Sequence, residues 1–251
     1  MKKKRVFVLL FIKRCIINIL DMDGMEGPLT FFVLMKILES IPGRYDLGIR
    51  LLTLGRLDAV YDRLLLPIQP GMKALDIGCG TGALSVLAAR RGAWVKGMDI
   101  NPVMLEIARQ RGADAGLEEK ITLLEMGVAE LDGEYPESYD AVIAGLSFSE
   151  ISPDELRFAL EHTRRILKPG GYLLVADESR PSSIVLRMLF AVLRFPLAAV
   201  TWLLTKTTTH AVQELPEKLT AVGFQVSDTQ YNWLHSFICL TARKPEEQKE
   251  I

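Results

Sequence analysis

The stretch ALDIGCGTGALS, residues 74–85, holds a short apolar run that ends at Asp76 and then three glycines within five positions. The apolar run predicts a buried β-strand. Glycines directly after a strand let the backbone turn tightly and approach a ligand that a Cβ atom would repel. The apolar pattern then resumes, which predicts a helix that begins near Gly82 with free N–H groups at its start. Together these features predict a ligand-binding loop at the carboxyl end of a strand.

The sequence on both sides of this loop alternates short apolar runs with longer amphipathic ones. Such alternation predicts parallel strands covered by helices, which is a doubly wound α/β sheet. We expect the first five strands at 73–77, 94–98, 121–125, 139–144 and 171–176, and the helices between them at 82–91, 102–111 and 154–167. A helix, turn and strand at 215–226 and a last strand at 236–244 bring the sheet to seven strands.

The composition is typical of a globular protein with a sizeable core, since 49% of the 251 residues are hydrophobic and 24% are charged. The formal net charge of −1 argues against a nucleic-acid partner, because nucleic-acid-binding proteins usually carry a basic surplus. The three cysteines are Cys15, Cys79 and Cys239, and this wide spacing suits neither a disulfide framework nor a zinc site. We therefore expect no metal site and a cytoplasmic location.

The glycine loop alone leaves two classes of ligand open. The run GCGTGA fits the dinucleotide-binding pattern, and Asp99, at the end of the second strand, would suit the ribose of either ligand. Asp76 separates the two classes. A carboxylate two residues before the glycines favours a ligand that carries positive charge and disfavours a pyrophosphate.

Two further stretches extend the pattern. Asn101 and Pro102 fit the cap and first turn of the next helix, and RILKPGGYLLVAD (165–177) runs from a helix that ends at Lys168 into a strand. With the loop, they make residues 70–180 resemble the class I methyltransferases that use S-adenosylmethionine. The resemblance implies a Rossmann-like, mostly parallel seven-stranded sheet, with N-terminal helices and a helical insertion before the last strands.

The same resemblance assigns roles to individual residues. Asp76 would reach the amino group of S-adenosylmethionine, directly or through water, and Asp99 would bind both ribose hydroxyls. Adenine would lie against Ile100, with Met98 and Met104 as further candidates. The loop beneath the methionine part of the cofactor would consist of Gly78, Cys79, Gly80 and Gly82. Residues after the fourth strand would face the methyl donor, namely Ala144, Gly145 and Leu146.

One position departs from the family pattern. Val128 stands where these enzymes often carry an acidic residue that binds the adenine amino group. The backbone of Val128 and Ala129 could bind adenine instead, and Glu130 could replace the missing carboxylate. A purely solvated role for Glu130 is the alternative.

The resemblance also divides the chain into two parts. Residues 1–68 would form an N-terminal helical segment that covers the site, and residues 69–251 would form the methyltransferase domain with a helical insertion at about 182–210. The segment RYDLGIRLLTLGRLDAVYDRLL (44–65) resembles quinone-biosynthesis and related small-molecule methyltransferases, which makes Tyr45 a candidate to close the site. Stretches at 25–56, 127–140 and 206–219 resemble a subgroup associated with corrinoid proteins, which suggests a corrinoid protein as a partner.

Two apolar stretches leave membrane contact open. Residues 1–20 fit a first helix or, as an alternative, an anchor lying in the membrane plane. Residues 184–204 approach the length of a membrane span, but they contain two arginines and Pro196. Two helices that cover an apolar acceptor fit better, with membrane docking or a partner protein as alternatives.

These features predict methyl transfer from S-adenosylmethionine to a small, apolar acceptor or to a corrinoid-linked partner system. The leaving thioether is a good one, so positioning and exclusion of water can supply most of the acceleration. Where the acceptor needs a general base, the candidates are His210 and Glu150. The alternative function is a cofactor-binding scaffold or regulatory protein without methyl-transfer activity.

Overall fold

The computed structural model describes residues 56–179, 212, 214–231 and 237–246. Five α-helices lie within these ranges: α1 (Arg56–Leu64), α2 (Ala83–Arg90), α3 (Pro102–Asp114), α4 (Pro153–Ile166) and α5 (Leu215–Ala221). The strands are β1 (Lys73–Ile77), β2 (Trp94–Asp99), β3 (Ile121–Glu125), β4 (Tyr139–Gly145), β5 (Leu167–Glu178), β6 (Gln225–Tyr231) and β7 (Phe237–Arg243). Short 3-10 turns occupy Glu118–Lys120, Val128–Gly133 and Phe148–Glu150. The expected segment 1–68, apart from its last residues, and the insertion at about 182–210 lie outside the described residues.

The seven strands form one sheet in the order β3-β2-β1-β4-β5-β7-β6. Strands β1 to β5 pair in parallel, and β7 pairs antiparallel with both β5 and β6. The predicted mostly parallel, seven-stranded doubly wound sheet is therefore confirmed. The strand order reverses between β1 and β4, and ligands of open α/β sheets bind outside the carboxyl ends of strands at such a point. The glycine loop follows β1 at this position.

The core lies on both faces of the central strands. Alternate residues of β1 enter different clusters: Leu75 and Ile77 pack on one face, and Ala74 packs on the other. In β4, residues 141–144 are buried without interruption. A parallel strand covered by helices on both faces needs apolar residues at every position, which explains why these strands read as continuous apolar runs.

Side-chain caps fix the starts of α3 and α4, and the cap of α3 is the one that the sequence predicts. The Asn101 side chain accepts hydrogen bonds from the N–H groups of Val103 and Met104, with Pro102 in the first turn of α3. Ser152 and Glu155 form a reciprocal capping box at the start of α4. These caps satisfy backbone donors that the helix itself leaves without partners.

The start of β5 differs from the expectation. Helix α4 ends at Ile166 rather than Lys168, and β5 begins at Leu167 rather than at 171. The Pro169–Gly171 region is drawn into the sheet by backbone bonds: the Gly170 N–H donates to the Lys244 carbonyl, and the Lys244 N–H donates to that of Gly171. These partners lie more than seventy residues away in the sequence, so a local pattern could not reveal them.

Gly82 allows the close packing of α2 against α3. It is the N-cap of α2 and has a positive φ of 75°. A Cβ atom at this position would lie 2.9 Å from the Ala108 Cβ and 3.2 Å from its Cα. Glycine is therefore required here twice, once by the backbone conformation and once by the neighbouring helix.

We predict that Gly82→Ala destabilises the protein more than Gly116→Ala does. Gly116 also has a positive φ, of 64°, but nothing lies within 4 Å of a Cβ added there. The control should lose about 1–2 kcal/mol from backbone strain alone, and Gly82→Ala should lose a further 1–3 kcal/mol, roughly, from overpacking. Urea unfolding of both variants measures the difference, and equal losses would contradict the packing role.

Candidate functional site

A cavity of about 380 Å³ opens at the carboxyl ends of β1 and β4. Its volume falls within the range of pockets that bind small molecules. The wall combines backbone of the glycine loop with side chains of α1, α2 and α3. Among the residues predicted from the sequence, those that line it are Asp76, Gly78, Cys79, Gly80, Gly145 and Leu146.

Asp76 places a buried carboxylate in the wall of the cavity. The residue is 1% exposed, and its Oδ2 accepts a hydrogen bond of 2.6 Å from the Ser85 hydroxyl. Among the described residues, Oδ1 is buried and has no hydrogen-bond partner. Burial raises the pKa of this carboxyl to about 7, and the nearby negative charge of Asp99 also raises it, while the Ser85 hydrogen bonds act in the opposite direction. A buried acceptor without a partner is costly, so the site favours a ligand that donates a hydrogen bond to it.

The glycine loop is held by backbone hydrogen bonds on one side and by close packing on the other. The Cys79 N–H donates to the Met98 carbonyl of β2, and the Gly82 N–H donates to the Cys79 carbonyl. On the other side, a Cβ atom on Gly78 would lie 2.5 Å from the Cβ of Ser147, in the loop after β4. The loop therefore packs between β2 and the end of β4, and its backbone forms one wall of the cavity.

Asp99 is oriented by two backbone donors. Its Oδ2 accepts a bond of 2.8 Å from the Gly80 N–H, and its Oδ1 accepts one of 2.8 Å from the Asn101 N–H. Each carboxylate oxygen can accept more than one hydrogen bond. Both oxygens thus keep acceptor capacity in a fixed orientation, which matches a pair of neighbouring hydroxyl groups.

Ile100 and the turn Val128–Gly133, which holds the other three adenine candidates of this region, meet at Gly127. Ile100 is 75% exposed, and its Cγ2 lies 3.2 Å from where a Cβ of Gly127 would stand. The Glu130 carboxylate accepts the Gly127 N–H at 2.9 Å and so caps the turn Val128–Gly133. Val128 is half-buried against the core, and Ala129 is exposed. The exposed isoleucine and the turn offer an apolar surface with backbone groups at its edge.

The structure places the remaining predicted residues away from the cavity wall. Met98 and Met104 are both buried, and Met98 belongs to the hydrophobic core. Ala144 is buried inside β4, and Gly82 caps α2. Glu150 is exposed in the turn Phe148–Glu150. Tyr45 and His210 lie outside the described residues.

Sequence analysis missed Asp177, at the end of β5. Its carboxylate is fully buried and accepts the N–H groups of Phe148 at 2.7 Å, Ser149 at 3.2 Å and Glu178 at 2.7 Å. Burial raises the pKa of this carboxyl to about 6, whereas these hydrogen bonds lower it. Asp177 therefore fixes the loop that carries Leu146, which has a positive φ of 57°. Its signal was an acidic residue at the end of an apolar strand, within the quoted stretch 165–177.

Tyr61 and Arg111 also line the cavity without having been predicted. Tyr61 comes from α1, and burial together with the charges of Asp76 and Asp177 raises the pKa of its hydroxyl. The Arg111 guanidinium donates to the Thr81 hydroxyl at 3.2 Å, and burial lowers its pKa. Each residue lies within a helical pattern that indicated only packing or solvent exposure. Their positions follow from how α1 and α3 dock on the loop.

Within 56–179, 212, 214–231 and 237–246, no group of three or more His, Cys, Asp or Glu side chains could hold a metal ion. In that same part of the chain, every helix is too short or too polar to cross a bilayer.

Comparison with known sequences agrees with this geometry. A family model described as a methyltransferase domain matches residues 74–171. A demethylmenaquinone methyltransferase of Tropheryma whipplei is 30% identical over 174 residues, which cover 64% of this chain and 70% of that protein. A ubiquinone biosynthesis O-methyltransferase of Xylella fastidiosa is 34% identical over 125 residues, covering 50% of this chain and 48% of the relative. The chain thus spans about half the length of the ubiquinone-biosynthesis relatives.

Solved structures share the fold at low sequence identity. An S-adenosylmethionine-dependent methyltransferase from Mesorhizobium loti has a TM-score of 0.56 at 20% identity, covering 72% of this chain and 95% of that one. The cyclase SpnF has a TM-score of 0.59 at 22% identity, covering 76% and 81%. Because one of these two carries the name of a cyclase, the fold alone does not fix the chemistry. Family membership follows from the sequence relatives: this chain belongs to the class I S-adenosylmethionine-dependent methyltransferases.

Proposed function

We propose that the protein binds S-adenosylmethionine and transfers its methyl group to a small, apolar acceptor of the quinone-precursor type. Cofactor binding is supported above all by the buried Asp76 carboxylate beside the glycine loop. Its Oδ1 has no hydrogen-bond partner among the described residues. The type of acceptor is supported by the names of two relatives, a ubiquinone biosynthesis O-methyltransferase and a demethylmenaquinone methyltransferase.

The residues present fit the parts of this cofactor. The Asp76 Oδ1 matches a cationic ammonium group, and the oriented Asp99 carboxylate matches the two ribose hydroxyls. Ile100 and the turn beginning at Val128 offer an apolar face and backbone groups for adenine. Arg111 brings a cation to the same cavity, opposite in sign to the cofactor's carboxylate.

The protein's contribution to the reaction is positioning and exclusion of water. When bound, the cofactor supplies a methyl group already activated by a sulfonium centre. The backbone at Gly78, Gly145 and Leu146 borders the place where the acceptor must approach in line, and Asp177 holds that border rigid. Orientation of this kind can account for a large part of the rate of a displacement reaction.

The apolar wall of the cavity supports an apolar acceptor. Leu57 and Tyr61 of α1, together with Leu84 of α2, line it beside the loop. We also propose a domain arrangement in which residues 1–68 cover the site, Tyr45 closes it, and the insertion at about 182–210 covers the acceptor. Where the acceptor needs a base, His210 and Glu150 stay our candidates. The proposals of a corrinoid protein as partner and of contact with a membrane surface rest on the sequence stretches alone.

A second candidate function is a binding or regulatory protein without transferase activity. A protein that carries the name of a cyclase shares this fold, so the fold by itself does not require methyl transfer. Cofactor binding with no turnover of any quinone precursor would favour this alternative.

We predict that Asp99→Ala weakens S-adenosylmethionine binding by about 1.5–3 kcal/mol, the value typical of hydrogen bonds to a charged group. Asp114→Ala is the matched control, because Asp114 is an exposed aspartate whose carboxylate accepts a hydrogen bond from Gln110 on the surface of α3. Titration calorimetry measures both affinities. An unchanged affinity in folded Asp99→Ala would remove the ribose from this position.

We also predict a pH dependence that originates at Asp76. Its pKa is raised from 3.8 to about 7 in the folded protein without ligand. The neutral form is therefore favoured by folding, so this stabilisation is complete below about pH 4 and is lost as the pH rises through about 7. Melting temperature should fall between pH 5.5 and pH 8 in the free protein, and fall less in Asp76→Asn.

The cofactor should reverse this trend, because a bound ammonium favours the ionised carboxylate. The rise in melting temperature on adding S-adenosylmethionine should be larger at pH 7.5 than at pH 5.5. An identical pH profile in wild type and Asp76→Asn would show that another group is responsible. Asp177, with its pKa raised to about 6, contributes in the same direction in both proteins and cancels in the comparison.

A further inference from the structure

Ser85 makes a contact that the family resemblance did not assign. It lies in the first turn of α2, is 0% exposed, and its hydroxyl donates to the Asp76 Oδ2 at 2.6 Å. A serine inside a helix usually faces solvent or bonds to the carbonyl one turn earlier. Here the hydroxyl instead reaches from the helix to the central strand.

The space for this bond comes from Gly97. Asp76 on β1 and Gly97 on β2 are partners in the parallel register. A Cβ atom on Gly97 would stand 3.2 Å from the Ser85 Oγ and 3.1 Å from the Cys79 Sγ. A side chain at 97 would therefore crowd the hydroxyl, and the glycine leaves it room beside Asp76.

We propose that Ser85 is a positioning residue that holds one oxygen of Asp76, turns the other toward the cofactor's ammonium group, and favours the ionised form of the carboxylate. This inference rests on the proposed function. Only one of the two oxygens has a partner among the described residues, so the bond divides the carboxylate into a fixed side and a ligand side.

The groups around Asp76 leave this task to the serine. Tyr61 from α1 and Cys79 from the loop stay neutral, because burial and nearby carboxylates raise the pKa of both. Asp99 at the end of β2 is negative and opposes ionisation of Asp76. Further off, Asp58 and Arg111 line the same cavity, and the negative charge of Asp177 from β5 raises the pKa of Tyr61. Hydrogen bonding to the ionised form lowers a carboxyl pKa, and at Asp76 the bond from the Ser85 hydroxyl acts this way more strongly than the bond from the Ser85 backbone.

The test is the affinity for S-adenosylmethionine from pH 5.5 to pH 9, measured by titration calorimetry on the full chain. Binding needs an ionised Asp76 and a protonated ligand amine. The acid limb of the profile therefore reports Asp76, and the alkaline limb reports the ligand's α-amino group, whose pKa is near 8. S-adenosylhomocysteine keeps the amine and lacks the sulfonium charge, so it should give the same acid limb.

We expect Ser85→Ala to move the acid limb to higher pH by about one unit, which lowers the affinity roughly tenfold at pH 6. The alkaline limb should stay in place. Ser85→Cys keeps a side chain of the same shape, although a somewhat larger one, and donates only weakly. It should therefore behave like alanine, and it decides the matter if alanine does not fold. In an Asp76→Asn background the serine substitution should leave the profile unchanged.

A loss of affinity that is equal at every pH would mean that Ser85 only supports packing, and it would overturn the proposal. An unchanged profile in a folded variant would overturn it as well. The proposed function fails in a different way, namely if the wild-type protein binds neither S-adenosylmethionine nor S-adenosylhomocysteine at any pH.

Discussion

The buried carboxylate of Asp76 at the end of the central strand is the constraint on which its surroundings depend. Burying a carboxylate is unfavourable unless its oxygens find donors. Ser85 satisfies one oxygen from α2, and Gly97 on the neighbouring strand makes room for that contact. The other oxygen is left for a ligand. A site of this kind gives up stability in the free state and recovers it when a cation binds.

Three loops at the carboxyl end of the sheet are each held by a side chain from another element. Asp99 fixes the glycine loop through the Gly80 N–H, and Asp177 fixes the loop after β4. Arg165 on α4 donates to the carbonyls of Leu131, Asp132 and Glu134, and so holds the turn next to Ile100. Loops at the end of the sheet thereby become a rigid frame, which suits a reaction that depends on alignment.

The sequence was most informative where the physical cause is local. The glycine loop after an apolar strand, the Asn101 cap and the alternation of strands and helices led to the correct sheet, since each depends on residues a few positions apart. The predicted start of β5 was wrong because backbone hydrogen bonds join Gly170 and Gly171 to Lys244. Contacts such as these, and those of Asp177 or Tyr61, join elements that only the fold brings together. The sequence could therefore predict the cavity-lining residues of the loop but not those of α1 or α3.

Asp76 lines the cavity, and Asp99 lies next to it, bound to the N–H of the lining residue Gly80. A ligand with an ammonium group at one end and a ribose at the other matches this pair of carboxylates. The most direct test is a crystal structure with S-adenosylhomocysteine. The ligand's amino nitrogen should lie within about 3.2 Å of the Asp76 Oδ1, and both ribose hydroxyls should bond to Asp99. A ligand bound with its amino group away from Asp76, or with the ribose on other residues, would contradict this assignment.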